Sequence, residues 1–317
     1  MIDWFAQRIA YLATLTGVKF GFIVTTLFPH RWLFELTDGL AGLGFYFFRG
    51  FRRRSLMNIS LALGNQLAGT ADEIARKSLR NFFRCFVEII IAMKKPVEEH
   101  RREIPLEGQR HLDDALAKQK GVIVLSAHLG NFFLVGERLA AEGFAVNMLV
   151  NQPRYGRFAE LLDYYRLRVG QKTIHARPRS LALRELLQAL RKNEVTLMIA
   201  DEFRDGAGVP VSFFGRTVLA RRGPATLAAR TNAPIVPACL VRESDGNLRL
   251  VIEPELELLR EEKTNQEIRE NTQRLTQWLE KTVRQYSDQW NWMTVHWQDS
   301  ADPAEIVKQR PLQSLPH

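Results

Sequence analysis

His128 stands at a position where an imidazole could take up a proton. It follows an apolar run at residues 121–126 (GVIVLS), which predicts a strand covered on both faces, and a helix is predicted at 131–142. A histidine at such a turn could accept a hydroxyl proton, and amides at the helix start favour negative charge. Gly130 and Asn131 would shape a substrate-binding turn. The alternative is a structural histidine that caps the turn.

Carboxylates that could assist His128 come from two places in the chain. Asp201 and Glu202 directly follow the apolar run at 195–200 (VTLMIA). Because the carboxyl ends of parallel strands meet at one edge of a sheet, we expect these two residues to supply charge near His128. Glu137, on the helix predicted after His128, is a second candidate. The alternative for Glu137 is a salt-bridged residue on the helix surface.

Five arginines are candidates for binding a phosphate or another anionic part of a substrate. They are Arg166, Arg168, Arg216, Arg221 and Arg222. Guanidinium binds phosphate through two parallel hydrogen bonds. The first two lie on a helix predicted at 157–169, and the other three flank a helix start predicted at residue 223, where amides attract anions. The alternatives are an exposed helix arginine and a solvated basic loop.

Strands and helices alternate through the body of the chain and must position these side chains. The predicted strands are 121–126, 145–150, 195–200, 235–241 and 248–252. The predicted helices are 72–94, 111–120, 131–142, 157–169, 180–192, 223–230 and 266–285. This order indicates an α/β fold with a mixed, mostly parallel sheet flanked by helices.

The N-terminal segment has the composition of a membrane-contacting region. Residues 9–28 are apolar except for Lys19, near the ~20 residues that a spanning helix needs. A second apolar stretch at 33–48 leads into four arginines surrounded by phenylalanines, which indicates a bilayer interface with the basic side in the cytoplasm. The arginines are Arg49, Arg52, Arg53 and Arg54. Whether the segment spans the membrane or lies on it stays open, and two ordinary helices packed on the domain are the alternative. We therefore divide the chain into residues 1–54, 55–300 and a C-terminal tail at 301–317.

Composition narrows the remaining classes of function. The 317 residues include 44 Lys and Arg against 35 Asp and Glu, a net charge of +9, which suits nucleic acid or an anionic membrane surface. No nucleic-acid-binding module is present, so nucleic acid is not an expected partner. The two cysteines form no C-x-x-C pair, zinc-ligand spacing is missing, and no G-x-S-x-G elbow surrounds Ser126. We expect no metal.

Several segments, in order, resemble the bacterial late acyltransferases of lipid A biosynthesis, within the lysophospholipid acyltransferase superfamily. Residues 126–133 (SAHLGNFF) are similar to the histidine motif of that family. The segments 107–131, 161–174, 183–203, 208–256 and 288–298 resemble the blocks around it. The resemblance covers roughly residues 40–298, and the basic, apolar N-terminus resembles the family's membrane anchor.

The resemblance implies a glycerolipid acyltransferase-like fold and a reaction. His128 would act as general base while a hydroxyl (or amine) of a membrane lipid attacks the thioester of acyl carrier protein or acyl-coenzyme A. No cofactor beyond this co-substrate is implied. Arg166 matches the arginine of the family's arginine-bearing helix. The implied location is the cytoplasmic face of the bacterial inner membrane.

Two positions depart from the family's pattern. Phe133 stands where the motif His-x4-Asp/Glu has its acid, and Thr294, Val295 and His296 stand where paired arginines follow the closing aromatic segment. The acceptor is therefore open between lipid A, another glycolipid, an aminolipid and a lysophospholipid. The alternative function is a catalytically inactive relative that binds lipid or acyl carrier protein as a scaffold.

Overall fold

A computed structural model describes residues 16–64, 70–151, 157–203, 208–261 and 264–298. The tail at 301–317 lies outside these residues, as does the first part of the apolar stretch 9–28. The strands are β1 (Leu106–Glu107), β2 (Val122–Ser126), β3 (Val146–Val150), β4 (Gln171–His175), β5 (Val195–Ile199), β6 (Val209–Phe213), β7 (Arg216–Ala220), β8 (Ile235–Arg242) and β9 (Leu248–Ile252).

Helices cover both faces of the sheet, and five of the described helices precede the first strand in the chain. They are α1 (residues 16–27), α2 (His30–Phe47), α3 (Arg49–Leu63), α4 (Ala71–Ala92), α5 (Val97–Glu103), α6 (Gln109–Leu116), α7 (Val135–Ala141), α8 (Arg157–Arg168), α9 (Arg179–Arg191), α10 (Gly223–Thr231) and α11 (Asn265–Gln285). The predicted boundary between residues 54 and 55 falls inside α3.

Seven of the described strands form one sheet in the order β1-β9-β8-β2-β5-β3-β4. Strands β8, β2, β5, β3 and β4 are parallel, whereas β9 runs antiparallel to β8, so the predicted mixed, mostly parallel α/β sheet is confirmed. Every residue of β2 is buried because its neighbours lie on both sides and helices cover both faces. Ile123 and Leu125 join one hydrophobic core, and Val122 and Val124 join the other.

Three elements do not follow the predicted pattern. The edge strand β4 (QKTIH) is polar, with only Gln171 and Ile174 buried, so it lacks the apolar run of a central strand. The β6–β7 hairpin forms a separate two-stranded sheet, and Pro210 within it hides the strand signal. Helix α7 begins at Val135 rather than at 131, because residues 131–134 form turns.

Helix α2 has apolar residues on two opposite faces. The inner face packs on α4, and Asp38 forms an ion pair with Arg84 of that helix at 2.5 Å. The outer face exposes five large apolar side chains at helical spacing: Trp32, Leu36, Leu40, Leu43 and Phe47. Helix α1 exposes Phe20, Ile23 and Leu27 in the same way. No helix in the described part of the chain is long and apolar enough to cross a membrane.

Candidate active site

His128 and Asp201 meet at the carboxyl edge of the sheet. Strands β2 and β5 are neighbours with Ser126 opposite Ile199, so the residues that follow each strand emerge side by side. The Nδ1 atom of His128 lies 2.7 Å from Oδ1 of Asp201. Of the two expected carboxylates it is Asp201, not Glu202, that meets the imidazole. Glu202 follows as a half-buried residue.

Asp201 is held as a buried carboxylate. Its side chain is 1% exposed, and Oδ2 accepts hydrogen bonds from the His128 backbone N–H at 2.8 Å and the Trp290 indole at 2.7 Å. Burial alone would raise the pKa of Asp201, but the attraction and hydrogen bonds of His128 and Trp290 outweigh it and lower that pKa below its ordinary value. An ionised carboxylate only accepts, so Nδ1 of His128 carries a proton, and in the neutral imidazole Nε2 then carries the lone pair.

The turn after His128 is fixed by buried hydrogen bonds, and this changes the expected role of its amides. The N–H groups of Gly130 and Asn131 donate to the carbonyls of Gln289 and Leu240. They are therefore engaged within the protein rather than presented to an anion, and α7 starts too late to contribute its N-terminus. Gly130 has φ +58°, and a Cβ there would collide with the Leu240 carbonyl oxygen.

Asn131 is fully buried and links the turn to α4 and β8. Its side-chain amide donates to Glu88 at 2.7 Å, and Glu88 accepts two hydrogen bonds from Arg242. Asn81 completes the network by donating to the Gly130 carbonyl and accepting from Arg242. Through its contact with Glu88, Asn131 ties the turn to α4, and its buried side chain is directed into the protein rather than to a substrate-facing surface.

Phe133 is part of an aromatic stack beside the dyad. Its ring lies 4.0 Å, centre to centre, from that of Phe132, which in turn packs its edge against the His128 ring at 4.7 Å. Phe86 of α4 lies on the other side of Phe133. An aromatic residue fits at this position because Asp201 provides the carboxylate from β5.

The assignment of Glu137 near His128 is wrong. Glu137 is buried between α5, α7 and α8, where it pairs with Nε2 of His100 at 2.9 Å and accepts a hydrogen bond from the Tyr165 hydroxyl. The surface alternative is wrong as well. Burial opposes the charged form of His100, but the hydrogen bond and charge of Glu137 outweigh it and raise the pKa of His100.

This raised pKa predicts a stability change with pH. The His100–Glu137 pair should stabilise the fold fully below pH about 6.5, the ordinary histidine pKa, and this contribution should fall as pH rises through the raised pKa. Urea unfolding at pH 6 and pH 9 should therefore show a larger loss of unfolding free energy for wild type than for His100→Gln. Parallel pH curves for the two proteins would contradict this.

The structure also corrects the expectations for Arg166 and Arg168. Arg166 is 5% exposed and pairs with Asp163 at 2.8 Å on the same helix, so its guanidinium faces the protein instead of a substrate in solvent. Burial lowers the pKa of Arg166, although Asp163 opposes this. Arg168 is exposed at the last turn of α8. Because α8 runs back from β3 to the start of β4, that turn lies at the opposite edge of the sheet from His128.

The remaining three arginines lie at the start of β7 and directly after it. Arg216 begins β7 and donates to the Leu61 carbonyl at 3.3 Å, while Arg222 is exposed directly before α10. Arg221 is half-buried and lines the same cavity as Asp201, and neither Arg216 nor Arg222 is part of that lining.

A small cavity of about 20 Å³ lies between the sheet and α11. Asp201, Ser126 and Arg221 form its polar side. The other lining residues are Leu125, Ala200, Phe203, Ala220, Thr272, Leu275, Thr276, Trp278 and Leu279. Its size is about what one water molecule needs. Among the described residues, no group of three or more His, Cys, Asp or Glu side chains is placed to hold a metal ion.

Sequence reasoning missed one member of this site, Trp290. The segment at 288–298 is rich in aromatic residues, and such residues usually indicate core packing alone. A buried tryptophan also needs an acceptor for its N–H. Asp201, expected at the carboxyl edge of the sheet, could be that acceptor. The need of a buried indole N–H for an acceptor is the signal that could have linked Trp290 to Asp201.

The fold and the site together define an α/β protein whose histidine–carboxylate pair suits general-base chemistry. A family model described as bacterial lipid A biosynthesis acyltransferase matches residues 4–299, and the chain belongs to this family of acyltransferases. The chain is 25% identical to phosphatidylinositol mannoside acyltransferase of Mycolicibacterium smegmatis over 247 residues, 76% of this chain and 77% of that protein. It is 24% identical to lipid A biosynthesis palmitoleoyltransferase of Escherichia coli over 211 residues, 65% of this chain and 67% of that protein.

Proposed function

We propose that this protein transfers a fatty acyl group from a thioester, on acyl carrier protein or coenzyme A, to a hydroxyl (or amine) of a membrane glycolipid. Nε2 of His128 takes the acceptor proton as the acceptor oxygen or nitrogen attacks the thioester carbonyl. The tetrahedral intermediate then collapses, its carbon–sulfur bond breaks, and the proton passes from His128 to the departing thiolate. Neither a metal nor an acyl-enzyme is part of this scheme.

The observation that carries the proposal is the 2.7 Å contact between His128 and Asp201. A general base needs a lone pair facing the acceptor and a partner that stabilises the imidazolium formed during the reaction. The scaffold alternative depends on the missing motif acid at Phe133. Because Asp201 supplies a buried carboxylate from the neighbouring strand, the active enzyme is the better-supported function.

The outer face of α1 and α2 is proposed to lie on the cytoplasmic surface of the bacterial inner membrane. Burial of one leucine is worth about 1.5–3 kcal/mol, so changing Leu36, Leu40 and Leu43 together to glutamine should weaken binding to anionic lipid vesicles by roughly 100-fold or more. Co-sedimentation with vesicles measures this. Leu167→Gln, at a position 72% exposed on α8, is the control and should bind as wild type does. Equal binding of all three proteins would exclude this surface.

A direct transfer assay tests the function. The full-length protein in detergent receives a radiolabelled acyl thioester and total bacterial membrane lipid, with carrier protein and coenzyme A donors in separate reactions. Label should enter one lipid species, and mass spectrometry of that species then identifies the acceptor. The names of the two relatives favour a glycolipid acceptor. Absence of transfer from both donors would contradict the proposal and favour the scaffold.

A further inference from the structure

One short segment near the C-terminus holds both members of the dyad from outside the sheet. Its backbone pairs with the turn after β2, since the Gly130 N–H donates to the Gln289 carbonyl at 3.1 Å and the Asn291 N–H donates to the His128 carbonyl at 2.9 Å. Leu129 and Trp290 form an isolated β-bridge between these two contacts. Residues 289–291, which we call the dyad clamp, therefore fix the backbone that directly follows His128, from its carbonyl to the Gly130 N–H.

The side chain of Trp290 reaches from the clamp to the other member of the dyad. Its Nε1 lies 2.7 Å from Oδ2 of Asp201, and the whole residue is buried. The ring packs edge-on against Phe213 and Trp292, and the Trp290 carbonyl accepts a hydrogen bond from Ser78 of α4 at 2.6 Å. The indole is thus held in place by its own contacts and does not depend on Asp201 for its position.

We propose that Trp290 is a positioning residue for the reaction, acting through Asp201 rather than on substrate. Two N–H donors, one from Trp290 and one from the His128 backbone, fix Oδ2, and this leaves Oδ1 aimed at Nδ1 of the imidazole. The inference rests on the proposed function of the dyad.

The test compares Trp290→Phe with Trp292→Phe in the full-length protein. Both tryptophans are fully buried, and the Trp292 indole donates to the Ser287 carbonyl, also at 2.7 Å. Each variant loses one indole hydrogen bond, but only Trp290→Phe changes the dyad. We expect kcat to fall roughly 10- to 100-fold in Trp290→Phe, the range for loss of a hydrogen bond to a charged group, and to stay near wild type in Trp292→Phe.

Nitrogen-15 NMR of labelled histidine gives a readout that packing alone would not move. In wild type the His128 ring should carry its proton on Nδ1, and in Trp290→Phe a share of the molecules should carry it on Nε2, whereas Trp292→Phe should match wild type. Equal kcat losses in the two variants, or an unchanged proton position in Trp290→Phe, would overturn the proposal.

Two further results are separable from these. If Trp290→Phe does not fold, benzothienylalanine inserted at position 290 keeps the ring shape and removes only the N–H, and the same losses are expected. If wild-type protein transfers no acyl group, the proposed function fails, while the NMR comparison still decides whether Trp290 orients Asp201.

Discussion

Replacement of His128 by alanine should lower kcat for acyl transfer by about 10²- to 10⁴-fold, the usual cost of removing a general base. The imidazole is the one group of the dyad whose lone pair can reach solvent-borne substrate, since its side chain is 21% exposed while that of Asp201 is 1% exposed. Label transfer at saturating donor measures kcat.

The control for this loss is His175→Ala. His175 is a partly exposed histidine on the edge strand β4, far along the sheet from β2, and its removal should leave kcat at the wild-type value. Chemical denaturation should give the same unfolding free energy for wild type and His175→Ala and a lower one for His128→Ala, because Asp201 then loses the partner that offsets its burial, while all three proteins remain folded in buffer. Turnover by His128→Ala within a factor of a few of wild type would mean that another group takes the proton.

The edge of the sheet that carries the dyad could be predicted because its cause is local. The central strands are short apolar runs, and parallel strands place the residues that follow them at one edge. The sequence therefore predicts that His128 lies close to the residues after β5, Asp201 among them. The choice between Asp201 and Glu202 could not be made in this way, because it depends on which side chain turns inward at the end of β5.

The roles of Arg166 and Glu137 could not be predicted for a related reason. Both lie on helices with mixed polar and apolar residues, where sequence spacing suggests an exposed charge. Glu137 is instead buried against Tyr165 and His100, which are distant in sequence, and Arg166 is buried while paired with Asp163 of its own helix. Ionisable residues rarely become buried unless paired, so the partner decides the outcome.

The position of the carboxylate also explains how the chain tolerates Phe133. An acid one turn into the following helix would need α7 to begin near residue 131, but residues 131–134 form turns, and Asn131 is tied there by its side-chain contact to Glu88 and by its N–H bond to the Leu240 carbonyl. Because Asp201, which follows β5, supplies the carboxylate, residue 133 need not be acidic. Phe133 can therefore stack on Phe132. The two members of the dyad therefore follow two neighbouring strands and are held by the dyad clamp, instead of lying on one helix.

Asp201→Asn should be nearly as damaging as the loss of His128 itself. The Trp290 indole and the His128 backbone N–H both donate at the Oδ2 position, so the amide oxygen of asparagine must occupy it. The amide NH₂ is then forced toward Nδ1 of His128, which accepts from it and leaves the ring proton on Nε2. That nitrogen can no longer take a proton from the acceptor. In the serine protease template, the equivalent change costs about 10⁴ in kcat.

The pH dependence of the unfolding free energy tests the role of Asp201 independently, because the direction of the expected change is known. Because the pKa of Asp201 is lowered in the fold, its charge stabilises the protein above its ordinary pKa of 3.8, and that contribution disappears as pH falls through the lowered value. Asp201→Asn should therefore unfold more easily than wild type at pH 7, and the gap should narrow below pH about 3.8. Denaturant titration at pH 7 and below pH about 3.8 measures this difference in unfolding free energy. A gap that is constant with pH, together with kcat within tenfold of wild type, would show that Asp201 is a packing residue and that His128 works without it.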